Sequence, residues 1–108
     1  MTIPKLLAQS LPTAATLTAF YTVPASGRTY AHKLFVCNAA AGATTFRVSV
    51  APSGEVDAAK HYLYYDAALA ANETKALELD ARLSSTDVVR IYTAGANVSF
   101  NLFGTEEI

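Results

Sequence analysis

The sequence predicts an all-β protein, a single antiparallel β-sandwich of about 7–8 strands, jelly-roll-like or Ig-like, with a candidate N-terminal arm. Apolar and β-branched residues alternate with polar ones at the two-residue period of a strand. Clusters of Gly, Pro, Asn and Ser divide the chain into short runs, roughly every 10–18 residues. The 108 residues make one ordinary domain, which is large enough to bury a single core without disulfides or metals.

The N-terminal half contains three predicted strands, at residues 16–23, 28–38 and 44–50. Residues 24–27 form a turn between the first two, because Pro24 fixes φ and Gly27 accepts a positive φ. The second run becomes apolar on both faces and is predicted to be a central strand. Each of the three strands is predicted to place one set of residues on a single face: Leu17, Ala19, Tyr21 and Val23; Tyr30, His32, Leu34 and Val36; and Phe46, Val48 and Val50. Arg47 and Ser49 are predicted to point outward from the third strand.

The C-terminal half contains four predicted strands, at residues 60–66, 74–79, 88–93 and 98–103, after a loop or short helix from residue 55. Leu77 and Leu79 are expected to point inward. In the last strand, Val98, Phe100 and Leu102 oppose Ser99, Asn101 and Phe103. Residues 94–97 contain Gly and Asn, so the last two strands are predicted to form a β-hairpin.

Residues 1–12, punctuated by Pro4 and Pro12, are predicted to form an N-terminal arm or edge strand before a sandwich domain at 13–108. An extended segment can add to the open sheet edge of a neighbour, where backbone N–H and C=O groups lack partners. The apolar residues of this segment, Ile3, Leu6 and Leu7, are therefore candidate interaction residues.

The composition narrows the class of partner. Charged residues make up 16% of the chain, against about 25% in typical domains, so much of the surface can be buried against another protein with little desolvation of charge. The net charge is −1 and the basic residues are scattered, which argues against nucleic-acid binding. We expect no membrane association and no signal peptide, and therefore synthesis in the cytoplasm of the cell that makes the chain.

Residue patterns for catalysis or metal binding are not evident, so the protein is predicted not to be an enzyme and to need no cofactor. His32 and His61 are 29 positions apart, without further ligands at metal-site spacing. We expect His32 in a sheet, His61 at the surface and the single cysteine, Cys37, buried in a strand. Four aspartates are predicted to lie near turns and to bend or cap the backbone: Asp57, Asp66, Asp80 and Asp87.

Tyr62, Tyr64 and Tyr65 are the most distinctive local cluster. Tyr62 and Tyr64 are predicted to share one strand face, with Tyr65 on the other. Tyrosine has a large apolar body and a polar tip, so these residues are expected to fill core and interface. The alternative is a platform on which sugars stack, as in a carbohydrate-binding β-sandwich module.

Four stretches, taken in order, resemble small virion structural proteins of tailed bacteriophages: residues 17–27; 36–39 with 45–50; 60–66; and 87–92 with 97–104. The resemblance covers about residues 5–104. It implies a β-sandwich located in the virion, either as a capsid decoration (cement) protein or as a tail, baseplate or fibre-attachment protein. The implied partners are other virion proteins, such as the major capsid protein or tail proteins, and further copies in a homo-oligomer such as a trimer. The family supplies no catalytic residues.

Overall fold

A computed structural model describes residues 2–107 and has the predicted all-β architecture. Two short 3-10 turns, Pro52–Gly54 and Ala59–His61, lie between the fourth and fifth strands. The eight strands are β1 (Thr2–Ser10), β2 (Thr18–Thr22), β3 (Arg28–Asn38), β4 (Thr44–Ala51), β5 (Tyr62–Leu69), β6 (Thr74–Leu83), β7 (Val88–Thr93) and β8 (Val98–Glu107). They form two antiparallel four-stranded sheets, which confirms the predicted β-sandwich.

The strand order is that of a jelly roll. Sheet A has the order β1-β8-β3-β6, and sheet B has the order β2-β7-β4-β5. Each strand of the first half pairs with its counterpart counted from the other end of the chain: β1 with β8, β2 with β7, β3 with β6 and β4 with β5. This is one long antiparallel ribbon wrapped into two facing sheets, which distinguishes the jelly roll from the Ig-like alternative.

The predicted hairpin between the last two strands is wrong. β7 lies in sheet B and β8 in sheet A, so residues 94–97 carry the chain across the sandwich. Both flanking residues, Thr93 and Val98, are fully buried. The turn residues permit a sharp reversal both in a hairpin within one sheet and in a crossing between the two sheets. The pairing of β7 with β2 and β4 selects the crossing.

The core lies between the sheets and is centred on Phe46 of β4 and Phe100 of β8, whose ring centroids are 6.4 Å apart. Val98, Phe100 and Leu102 are all fully buried, as the alternation predicted. Leu77 and Leu79 pack against this core from β6, which is also as predicted. The side chains of sheets A and B therefore interdigitate in one apolar layer.

β-Bulges overturn several of the predicted faces. A register shift at Phe20 leaves Leu17 and Ala19 exposed, while Phe20 itself packs against the core. A second shift, at His32, exposes this histidine and buries Ala31. In β2 and β3, an extra residue exchanges the faces beyond it, and the residue pattern alone does not reveal this insertion. β4 pairs with β7 without a register shift, so Ser49 keeps its predicted outer face, although it is fully buried there. Val50 of β4 is only partly buried.

Residues 2–10 form β1, an edge strand that pairs along its length with β8 of the same chain. This segment therefore lies in sheet A instead of extending away from the domain as an arm. The next residues, 11–17, connect β1 to β2 at the edge of the opposite sheet.

Candidate interaction surface

The two histidines lie in different environments. His32 is exposed on β3, with its ring centroid 4.4 Å from that of Tyr30. His61 is only 5% exposed, so its predicted place at the surface is wrong. Its Nε2 lies 3.2 Å from Oε1 of Glu55, which also has Lys60 Nζ at 3.9 Å. His61 ends the second 3-10 turn of the loop between β4 and β5, and the sequence pattern does not predict its burial.

The four aspartates bind neighbouring protein groups. Asp57 accepts a hydrogen bond from the Tyr62 hydroxyl at 2.9 Å, and Asp87 accepts from the backbone N–H groups of Ser53 and Ser84. Asp66 and Asp80 lie within β5 and β6, not in turns, and both have positive φ values, of 50° and 48°. Short polar side chains tolerate this left-handed conformation.

Within residues 2–107, no three His, Cys, Asp or Glu side chains are arranged to hold a metal ion. Cys37, the single cysteine, is partly exposed on β3. No helix among the described residues is long and apolar enough to cross a bilayer.

The outer face of sheet B carries a cluster of aromatic rings around one arginine, which we call the tyrosine–arginine surface: Arg47, Tyr62, Tyr65, Asp66 and Tyr92. The Arg47 guanidinium carbon lies 4.2 Å from the ring centroid of Tyr65 and 4.4 Å from that of Tyr92. Its Nε donates to Asp66 Oδ1 at 2.7 Å, and Nη2 donates to Oδ2 at 3.3 Å. The two rings and the carboxylate hold the guanidinium in one orientation.

The only charges within this surface are those of Arg47 and Asp66, and the two residues form an ion pair. Hydrogen bonding to Asp66 raises the pKa of Arg47 above its ordinary value, so Arg47 remains a cation. Burial, followed by the hydrogen bond to Asp57, raises the pKa of the Tyr62 phenol. The surface therefore presents neutral rings around a paired charge, a combination common in protein interfaces.

The three candidate tyrosines do not act as one group. Tyr64 packs against the core, with its ring centroid 6.0 Å from that of Phe46. Tyr62 instead contacts Tyr65 edge to face, with a centroid distance of 5.0 Å. The predicted pairing of Tyr62 with Tyr64 on one face is therefore wrong, because register shifts in the β4–β5 pair separate their surroundings.

A shallow groove of about 560 Å³ borders the tyrosine–arginine surface and is lined by Arg47, Asp57, Ala58, Ala59, Tyr62 and Tyr65. One wall belongs to residues 52–61, which we call the covering loop. Val56 projects from this loop and is 88% exposed, and Leu63 and Tyr65 on the adjacent edge strand are 48% and 59% exposed. Three of the seven exposed large apolar side chains in residues 2–107 thus lie on this loop and on β5.

The N-terminal candidate residues lie on both sides of β1. Leu7 packs against the core, Ile3 is partly buried, and Leu6 is 39% exposed. Leu6 is the register partner of Phe103, whose ring contacts Phe35 edge to face at 5.7 Å. Leu6, Phe103 and Phe35 therefore form a smaller apolar patch on sheet A.

A buried polar cluster ties β1 and β2 to the rest of the fold, which the sequence did not predict. Glu106 of β8, only 8% exposed, accepts hydrogen bonds from the Tyr21 hydroxyl and from Lys5 Nζ, the latter at 3.1 Å. The Thr29 hydroxyl lies 2.8 Å from that of Tyr21. These bonds lower the pKa of Glu106, and burial together with the carboxylate raises the pKa of Tyr21 to about 12.

Comparison with known proteins gives little further information. No family model matches the chain, and no curated protein matches it. Among solved structures, it is similar to a chain of the "Acidic stable capsid structure of Helicobacter pylori bacteriophage KHP30", with 15% identity and a TM-score of 0.45. The similarity covers 100% of this chain and 94% of the other. At this identity and TM-score, the similarity does not carry an argument about function.

Proposed function

We propose that this protein is a structural component of a tailed-bacteriophage virion, a capsid decoration (cement) protein without enzymatic activity that binds the particle through subunit–subunit contacts. Its partners are the major capsid protein and further copies of itself. The sequence resemblance to small virion proteins motivates this proposal.

The observation that carries the proposal is the exposed apolar group Val56, Leu63 and Tyr65 on the covering loop and the edge strand β5. The neighbouring charges are already paired, as in Arg47 with Asp66, so a partner meets few charges that need desolvation. β5 also presents an unpaired backbone edge, to which another chain can add hydrogen bonds.

The jelly-roll topology is compatible with this role, since the fold occurs in viral capsid domains as well as in lectins and cupins. A fold hosts many functions, so the topology supports the proposal only by analogy. The contribution specific to this chain is the surface formed by the covering loop and β5.

Quantitative mass spectrometry of purified particles of the encoding phage tests the role. A decoration protein should be present at a copy number comparable to that of the major capsid protein, and a particle reconstruction should place it on the head. A few to some dozens of copies, located in the tail or baseplate, would instead support the tail alternative and overturn the decoration role.

A second experiment tests the surface. Val56→Asp and Tyr65→Asp should reduce binding of the purified protein to particles that lack it. Thr22→Asp, at an exposed position of β2 on the other edge of sheet B, is the matched control and should bind normally. Equal binding by all three variants would show that this surface is not the contact.

The groove beside Tyr65 favours one function of another class, a carbohydrate-binding module. It combines an exposed ring with the Asp57 carboxylate and the small Ala58 and Ala59. Stacking of a sugar on the ring would contribute ~1 kcal/mol. A glycan array that gives no hit, or a hit that Tyr65→Ala leaves unchanged, would remove this alternative.

A further inference from the structure

β1 pairs with a single strand, β8, which comes from the opposite end of the chain. Gln9 Nε2 donates to Asn101 Oδ1 at 2.7 Å. A Cβ built at Gly104 would lie 3.0 Å from Leu7 Cδ1, so the leucine side chain sits directly over the glycine. Because a distant part of the chain forms this seat, it fits β1 of a second copy as well as β1 of its own.

Residues 11–17, which we call the connector, link β1 to β2. Five of these seven residues are exposed, among them Leu11 at 63% and Leu17 at 36%. A backbone hydrogen bond from the Ala15 N–H to the Thr93 carbonyl, at 2.8 Å, fastens the connector to β7. Releasing the connector from the sheets therefore gives up little buried surface.

The path of the connector requires an unfavourable backbone conformation. Ala15 has a φ of 57°, in the left-handed region that an L residue with a Cβ atom adopts at a cost. Pro12 fixes its own φ and favours an extended conformation of Leu11. An extended connector avoids the left-handed residue and spans roughly 23 Å over seven residues, which exceeds the smallest dimension of the molecule, 19 Å. A strained connecting segment of this kind favours exchange of the element that it carries.

We infer that two copies of this chain exchange β1, so that the strand of each copy leaves its own sheet A and pairs with β8 of the other copy. Every contact between β1 and β8 is kept in the exchanged dimer, so the balance depends on the connector. Exchange releases the left-handed conformation of Ala15 and gives up its bond to Thr93. The exposed Leu11 and Leu17 of two neighbouring connectors can then pack against one another. The exchange needs no other virion protein, so its failure and the failure of the proposed function are distinguishable.

A disulfide across the β1–β8 pair tests the exchange in the full chain. Gln9→Cys and Asn101→Cys, each made alone in a Cys37→Ser chain, place single thiols at register partners whose side chains touch. The two variants are unfolded together in urea, refolded as an equal mixture and oxidised. Exchange should give a covalent dimer with one chain of each kind, identified by mass spectrometry. Thr45→Cys mixed with Ala68→Cys, register partners in β4 and β5, is the matched control and should give no such dimer. A mixed dimer no more abundant than in the control would overturn the inference.

Sedimentation equilibrium provides a second test that needs no added thiol. The native chain should show a concentration-dependent equilibrium between monomer and dimer. Removing a left-handed alanine shifts the equilibrium of one connector by about tenfold, and the dimer opens two connectors, so Ala15→Gly should raise the dissociation constant roughly a hundredfold. Thr86→Gly, at an exposed turn residue with a φ of 67°, is the matched control and should leave the constant unchanged. A native chain that is monomeric at every concentration, or equal constants for Ala15→Gly and the native chain, would contradict the exchange.

Discussion

The sandwich contains two buried polar corners that differ in how their polar atoms are satisfied. In the corner around Glu106, the carboxylate has Lys5 and Tyr21 as donors, and Thr29 completes the group. In the corner beneath the covering loop, Ser49, His61 and Arg90 each retain a buried atom without a protein partner. The first corner joins β1, β2, β3 and β8, whereas the second lies between one sheet face and a loop.

This difference separates a hydrogen-bonded polar cluster from one whose buried atoms lack protein partners. A buried polar group that is fully hydrogen-bonded adds stability and fixes the relative position of its strands. A buried polar group left without a hydrogen-bond partner lowers the stability of the fold. The Glu106 corner is therefore expected to stabilise the sandwich, whereas the unpartnered atoms beneath the covering loop are not.

Truncation of the apolar core should lower the free energy of unfolding more than any change in the two polar corners. Phe46→Ala and Phe100→Ala should each lower the free energy of unfolding by ~3–5 kcal/mol, because each leaves a cavity between the two sheets. Urea denaturation measures the loss. Phe103→Ala, at a position 40% exposed, is the matched control and should lose much less. Equal losses at Phe100 and Phe103 would contradict the assigned faces of β8.

The alternation of β8 and the packing of Phe46 were predictable because each strand buries one unbroken face over the relevant residues. The faces of β2 and β3 were not, since the bulges at Phe20 and His32 leave no signature in residue type. The hairpin prediction failed for a related reason. Gly95 and Asn97 permit a turn, but only the pairing of distant strands determines which sheet receives the chain.

The candidate surface was partly predictable. Tyr65 was singled out by its local cluster, and Arg47 by its outward place in β4. The contacts of Arg47 with Tyr65 and Tyr92 join residues that are far apart in the sequence, so no local pattern could show them. The burial of His61, the last residue of the covering loop, was likewise not evident from residue type.

The contribution of the corner around Glu106 can be measured by replacing its carboxylate. Glu106→Gln should lower the free energy of unfolding by about 2 kcal/mol, because it weakens the hydrogen bonds from Tyr21 and Lys5 in a buried setting. Glu107→Gln, at the neighbouring exposed position with a surface ion pair to Arg28, should cost below about 1 kcal/mol. Chemical denaturation compares the two variants, and similar small effects would show that the corner is not a tie.

The corner around Glu106 should also make the stability of the fold depend on pH. The pKa of Glu106 is lowered in the folded state, so its contribution is complete above the ordinary value of 4.5 and is lost as pH falls through the lower folded value. The pKa of Tyr21 is raised, so stability also falls as pH rises from 10.0 to about 12. The acid loss should be smaller in Glu106→Gln, and the alkaline loss should be smaller in Tyr21→Phe. Melting profiles that match the native chain in both ranges would contradict these assignments.

The most direct test of the comparison removes one hydroxyl from each corner. Thr29→Val removes a buried, hydrogen-bonded hydroxyl with little change of shape and should cost about 1 kcal/mol. Ser49→Ala removes a buried hydroxyl that has no protein partner and should change the free energy of unfolding by less than about 0.5 kcal/mol. Urea denaturation of both variants measures the two costs, and an equal cost for Thr29→Val and Ser49→Ala would contradict the difference between the two corners.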